Sequence, residues 1–319
     1  MKNKRLTTKE ITEKVAQDII GCLEKGTIPW SLGYEHQYGN AVNFDGVPYT
    51  GMNRWITLSS VIKNEFTTNT WVTFNRVKKA GGHILKGSKS TTLTYWKPIK
   101  VKSIDKKSGS VIVDADGKPK MKSIPFLRQF SVFNLCQTSL YDPSKVEKVR
   151  EDVEVNTSLA NQLVADWDSE VSIKFGYDNS ASPYYAPLKD FINIPYNGEE
   201  DSGWDNDELM FKTTFHEMMH STGHKSRLDL FDKATLDGID AGKLHSRGQY
   251  SAEELVAEMG SQILADICDF KQNHIENTSA YIKSWLKCLK SNPEWLLYAS
   301  GRAEKGVNLI LDNSMEGGK

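Results

Sequence analysis

Apolar residues recur four apart near the start of the chain, where Ile11, Val15 and Ile19 fall on one face. Thr7 and Glu10 have capping-box spacing and Gly26 stands where a helix ends, so residues 7–25 read as a helix that Pro29 and Trp30 terminate. A second helix is expected over 53–65, with Asn53 as N-cap and Trp55, Ile56, Leu58, Val61 and Ile62 on its apolar face. A short segment over 73–80 closes at Gly81-Gly82. Strand patterns then take over at Leu93–Trp96, Ile99–Ile104, Val111–Val113 and Phe126–Phe133, with turns at Lys106–Gly109 and Asp116–Pro119.

Beyond a polar stretch the helical period returns. Asn156 caps a helix over 156–169 that carries Leu159, Leu163, Val164 and Trp167 on its apolar face. Strands over 171–175 and 190–194 precede a helix over 207–222. A loop of about 28 residues leads to a helix from Ser251 to Cys268, then helices over 279–290 and 293–311, the last with Pro293 at its first position. The pattern predicts an α+β chain of two domains, residues 1–142 and 156–319, with 143–155 as linker.

Charge sharpens that division. The net charge of the 319 residues is −1, yet residues 1–150 hold 25 Lys and Arg against 12 Asp and Glu, and residues 151–319 hold 15 against 29. A basic module is thus joined to an acidic one, and the basic one invites a polyanion. No apolar run suits a bilayer and Met1–Arg5 lead into no apolar signal core, so a cytoplasmic protein without a membrane partner is expected. Cys22, Cys136, Cys268 and Cys288 are scattered, which suits reduced thiols.

The 207–222 helix carries His216-Glu217-Met218-Met219-His220. Residues four apart share a helix face, so His216 and His220 present two imidazoles to one Zn2+. Glu217 is placed beside them to take a proton from water as general base. Catalytic zinc needs a third protein ligand. Ser226 occupies the position where a metzincin has its third histidine, which excludes that class, and Gly223 breaks the helix before His224. Glu254 is the favoured ligand and Glu258 the second candidate, with Glu253, His224 and the acids of the intervening loop open as further alternatives; the spacing of four also suits Glu254 as ligand with Glu258 as a carboxylate orienting one histidine. Ser251 with Glu254 also has capping-box spacing, a structural role competing for the same carboxylate.

In the basic half, aromatic and cationic residues interleave: Trp30, Tyr49, Arg54 and Trp55, then Trp71, Phe74, Arg76, Lys78 and Lys79, then Lys86, Lys89, Tyr95, Trp96 and Lys97. Cations along phosphates and aromatic faces beneath bases are how single-stranded nucleic acid is held. Arg54, Trp55, Trp71, Arg76, Lys78, Lys86 and Lys89 are the candidate contacts to single-stranded DNA. No helix-turn-helix, zinc-finger or RNP motif is present, so sequence-specific duplex reading is disfavoured.

Several motifs in order resemble the ArdC-type antirestriction proteins of plasmids and other mobile genetic elements. They are Leu23–Gly26 through Pro29-Trp30, Pro48–Asn53, Trp71–Thr73 with Gly81-Gly82 and Lys86-Gly87, Val132–Asn134 with Gln137, Phe215–His220, Thr222–His224, Ser226–Leu228 and Tyr250–Glu258. The resemblance implies an N-terminal single-stranded-DNA-binding domain and a C-terminal zincin-like metallopeptidase domain that protect incoming DNA from restriction. The second half is also similar to short zincins whose third ligand is a glutamate upstream of an alanine, which suits Glu254 and Ala257. Family members commonly carry an aromatic after the second histidine, where this chain has Ser221, a change affecting packing more than ligation. Rival readings are a DNA-associated protease acting on a host or replication protein and a strand-coating protein with a structural metal. A primase accessory role has no acidic cluster in the basic half to support it.

Overall fold

The computed structural model describes residues 7–26, 41–105, 108–144, 156–177, 182–195, 207–230, 247–270 and 278–316. Helix α1 (Thr8–Glu24) begins with the expected capping box: the Thr7 hydroxyl accepts from Glu10 N–H, and the Glu10 carboxylate accepts from Thr7 N–H. Strand β1 (Val42–Asn43) precedes α2 (Met52–Asn64), whose N-cap is Gly51 at φ 54°, not Asn53. Asn53 instead clamps a strand: its Nδ2 donates to Thr94 O at 2.7 Å and its Oδ1 accepts Thr94 N–H at 2.9 Å. A local capping rule missed this because the partner lies 41 residues away.

Strand β2 (Thr70–Val72) and α3 (Phe74–Lys79) lead into β3 (Thr91–Lys102) and β4 (Met121–Asn134). The sheet order is β1-β2-β4-β3, with β1 parallel to β2 and the other pairs antiparallel. The two strand segments expected, Leu93–Trp96 and Ile99–Ile104, merge into one continuous strand in register with β4 as far as Lys102, and Ile104 falls beyond its end. The expected strand over 111–113 makes only isolated bridges, Ile104 to Val111 and Val113 to Pro119, at the far end of that ribbon.

Of the expected linker, residues 145–155 lie outside the described residues. Helix α4 (Thr157–Asp168) starts at Asn156, whose side chain accepts Leu159 N–H at 3.0 Å. Strands β5 (Ser172–Phe175), β6 (Tyr184–Ala186) and β7 (Phe191–Ile194) form a second sheet in the order β5-β7-β6, with β6 antiparallel to β7. Short β6 escaped the sequence reading. Helices α5 (Asp207–Thr222), α6 (Arg247–Ile267), α7 (Thr278–Ser291) and α8 (Trp295–Glu316) follow. Pro293 lies in the turn before α8 instead of in its first position. Because α6 starts at Arg247, Ser251 sits a turn inside it, and the capping-box reading for Ser251 and Glu254 is withdrawn.

The two halves are not beads on a string. One hydrophobic cluster runs from Ile11, Ile19, Trp55 and Val61 through Trp167 and Phe215 to Leu264, Trp285, Leu296 and Ile310. α1 packs against α7 and α8, and α2 against α8. Polar ties cross the same boundary: Gly51 N–H, at the start of α2, donates to Glu304 Oε2 at 3.0 Å, and Lys290 pairs with Glu24 at 2.6 Å. No described helix is long and apolar enough to cross a membrane.

Close approach of α5, α6 and α8 depends on two glycines. A Cβ on Gly260 would fall 2.2 Å from Met219 Cε, and one on Gly306 would fall 2.5 Å from the same atom. Gly260→Ala should therefore destabilise the protein by about 1–3 kcal/mol through overpacking. Gly301→Ala in α8, where nothing lies within 4 Å, should instead stabilise by about 0.5–1 kcal/mol. Thermal unfolding of the two variants checks the sign difference; equal shifts would show that Met219 repacks freely.

Candidate metal centre

α5 buries Phe211, Phe215, Met218 and Met219, and Phe215 stacks on Phe270 beyond α6. That apolar anchor fixes the rotation of α5, so the opposite stripe, with residues four apart, faces α6. Along α5 the stripe reads Glu208, Lys212, His216 and His220; along α6, in the reverse direction, it reads Asp266, Gln262, Glu258 and Glu254. The two stripes meet as a polar seam. Lys212 has Asp266, Glu208 and Glu258 near it, and burial pulls its pKa down against their influence.

At one end of the seam three donors converge. His216 Nε2 lies 3.1 Å from His220 Nε2, 3.4 Å from Glu254 Oε2, and His220 Nε2 lies 3.4 Å from Glu254 Oε1. With bonds near 2.1 Å, the edge of a tetrahedral coordination shell is about 3.4 Å, so the triangle has the size of one tetrahedral face. Among the described residues it is the one group of three such side chains able to hold a metal ion. Two neutral imidazoles and one carboxylate fit a divalent cation and leave a fourth position for water or substrate.

The other ring nitrogens are held from behind. His216 Nδ1 faces Glu258 at 3.8 Å, and His220 Nδ1 faces Glu253 at 3.5 Å. Carboxylates so placed would orient each ring with its Nε2 toward the triangle. The spacing predicts Glu258 in that role, besides its lesser claim as a ligand; for Glu253 it offers only an alternative ligand or a solvated acid. Its signal was adjacency: neighbours on a helix diverge by about 100°, so Glu253 and Glu254 reach different atoms of one ring.

Electrostatics express the same packing. Burial pushes both imidazole pKa values down, but the hydrogen bonds and charges of the glutamates outweigh it, and His220 ends well above its ordinary 6.5. Burial would raise the Glu254 pKa, yet the two imidazoles hold it far below the carboxylate range. Burial raises that of Glu258. Glu217 is buried at 6% exposure, and its charge favours the protonated forms of both imidazoles.

His224 is turned away from the triangle. The helix ends at Thr222, and His224 Nδ1 lies 2.7 Å from Ser226 Oγ and 3.5 Å from Asp190. The same turn brings Arg227 Nε to Ser221 O at 2.7 Å and its guanidinium onto Asp190, which also accepts from the Tyr185 hydroxyl at 2.6 Å. This ties the β6–β7 turn to the end of α5. Burial would raise the Asp190 pKa, but the hydrogen bonds from Arg227 and Tyr185 bring it down. Ser221 fills its buried position by accepting Trp167 Nε1–H at 3.0 Å.

The proposed DNA contacts scatter. Trp55 and Trp71 are core residues at 2% and 0% exposure, and Trp71 Nε1 donates to Asn69 Oδ1 at 2.8 Å; neither ring is free to stack on a base, which corrects that expectation. Arg54 is mostly buried and faces Asp266 at 3.9 Å, at the far end of the polar seam. Arg76 pairs with Asp45 at 2.6 Å and lies over the Phe44 ring. Lys78, Lys86 and Lys89 are exposed, with Lys78 over the ring of exposed Phe74. Trp30 lies outside the described residues.

Residues 9–133 match the N-terminal domain of anti-restriction factor ArdC, and residues 160–302 match a zincin-like metallopeptidase domain. Two Escherichia coli proteins named DNA primase TraC are 30% and 29% identical over 311 residues, 95% of this chain. The chain spans only 27% and 20% of the length of those curated relatives. Crystal structures of the antirestriction ArdC protein from plasmid R388, metal-free and Mn(II)-bound, share the fold. Their TM-scores are 0.72 and 0.69 at 24% and 23% identity, covering 96% and 95% of this chain and 98% of theirs.

Three substitutions separate ligand from support. Glu254→Ala should weaken metal affinity by orders of magnitude, whereas Glu258→Ala and Glu253→Ala should each weaken it by about 10–100-fold. Competition with a chelator measures all three, and metal retention by Glu254→Ala comparable to the parent would reject the triangle. Uptake must displace protons from imidazoles whose pKa values are raised above 6.5, so affinity should climb as pH rises through and beyond that value. Affinity independent of pH between 6 and 8 would contradict this.

Proposed function

We propose, because the chain belongs to the ArdC-type antirestriction family, that it binds single-stranded DNA with its first half and holds Zn2+ in its second, protecting incoming mobile-element DNA from host restriction. The metal reading is carried by the triangle of His216, His220 and buried Glu254. Imidazole and carboxylate donors in a four-coordinate arrangement suit zinc, and the Mn(II) of the R388 relative makes manganese the competitor to test against it.

Such a cation supplies Lewis acidity toward a carbonyl and lowers the pKa of water. Glu217 then serves as general base, accepting the proton of the attacking water and passing it to the departing amine of a peptide. Glu253 and Glu258 keep the two rings oriented. A protein substrate in the cytoplasm is the corresponding partner. A purely structural metal has no use for a buried carboxylate beside two ligands, which favours a hydrolytic site over a strand-coating protein with an inert ion.

For DNA, the support is the basic excess of residues 1–150 and the exposure of Lys78, Lys86 and Lys89. The acidic second half repels phosphate. Purified protein should contain about one zinc per chain by elemental analysis; none would end the metal reading. Glu217→Ala should keep the metal and single-strand affinity while lowering any peptide cleavage by about 10²–10⁴-fold. Cleavage that survives the change would remove Glu217 from the chemistry, and its loss together with DNA binding would point to misfolding.

A further inference from the structure

β3 and β4 pair over twelve rungs, Thr91 with Val132 through Lys102 with Met121. At about 3.4 Å per residue that is an arm of roughly 40 Å. Its inner rungs are anchored: Leu93 and Val132 are fully buried, and Asn53 of α2 holds Thr94. From Lys97 outward no third strand among the described residues pairs with it. Pro98 faces Pro125, a rung with no N–H to donate, which only strands without further partners tolerate.

The outer ribbon is studded with lysines. Lys97, Lys100, Lys102, Lys118, Lys120 and Lys122 are all exposed. By register Lys97 and Lys122 share one face, and Lys100 and Lys102 the other. No ion pair joins these six to a carboxylate among the described residues. Asp105 and Asp114 are engaged in turns instead, accepting Ser108 N–H at 2.7 Å and Lys118 N–H at 2.9 Å. Between the lysines stand exposed apolar side chains: Ile104, Val111, Ile112, Val113 and Met121, at 39–54% exposure. Lysines alone would serve to keep a ribbon edge from pairing with another chain. Apolar side chains exposed at the same end defeat that purpose and require a partner that is anionic and also offers apolar faces.

We infer that this ribbon is a DNA-binding arm, its lysines on the phosphates and its apolar tip against unstacked bases of a single strand. A duplex is the poorer fit, because its base faces are hidden in the stack while its phosphates are not. The inference rests on the single-strand binding proposed above and locates it on the ribbon, beyond the α3 and 86–89 lysines.

The test uses the full-length chain and a fluorescent oligothymidylate, titrated over a range of salt. A variant with K97Q, K100Q, K120Q and K122Q should lose roughly tenfold or more in affinity at 0.1 M salt, and its salt slope should fall by about 0.7 for each phosphate contact removed. The matching four Lys→Arg changes should retain binding, which separates charge from fold. I112S with V113S should weaken binding and leave the slope unchanged. If the parent binds and the Gln variant matches it in affinity and slope while K78Q, K86Q and K89Q do not, the ribbon is not the interface. Salt-sensitive self-association that the Gln variant abolishes, with DNA affinity intact, would make the partner a second copy and overturn the inference. A parent that binds no single strand refutes the single-strand reading itself, and the arm with it.

Discussion

A carboxylate at 4% exposure between two imidazoles is tolerable only if its charge is matched within a few ångströms. Glu254 therefore demands that α6 run antiparallel to α5 in one register, and much of the second half follows from that demand. Slipping α6 by one turn would set Glu258 where Glu254 stands and leave a buried charge facing apolar surface. The seam of Lys212, Glu258, Gln262 and Asp266 continues the same register away from the site, while Gly260 and Gly306 let α5, α6 and α8 close around Met219. Rigid, interdigitated packing on one stripe thus positions a charged cluster on the next.

That seam ends at the other half of the molecule. Asp266 faces Arg54 of α2, and the amide at the start of α2 is met by Glu304 of α8. Together with the hydrophobic cluster shared across α1, α2, α7 and α8, these contacts make the first half part of the support of the metal helices. The steep change of charge near residue 150 thus follows the chain and not the core, which both halves share.

Features formed within one or two helical turns were legible in the residues alone. The Thr7 cap, the Asn156 cap, the span of α5 and the common face of His216 and His220 depend on spacings of three and four, which the helix itself converts into geometry. The basic and acidic halves, the α+β class and the absence of a membrane-length apolar helix among the described residues were equally a matter of reading order. The place of Glu254 beside the two histidines was also within reach, because few acids stood on the next helix.

What stayed hidden were distances across the fold. Nothing in the spacing of Glu253, Glu254 and Glu258 says which one lies 3.4 Å from both imidazoles and which ones back the rings; the separation and rotation of α5 and α6 decide it. Trp55 and Trp71 resemble exposed Phe74 in their basic neighbourhood, yet two are core and one is surface, because burial belongs to the packed sheet and helices rather than to neighbours in the chain. Asn53 looks like a cap until Thr94 is brought beside it. Sequence determined the local geometry of each element and the chemistry it carries. Tertiary structure decided which side chains meet, since contacts between elements are fixed by close packing and by the pairing of buried charge, and neither is encoded at a fixed spacing.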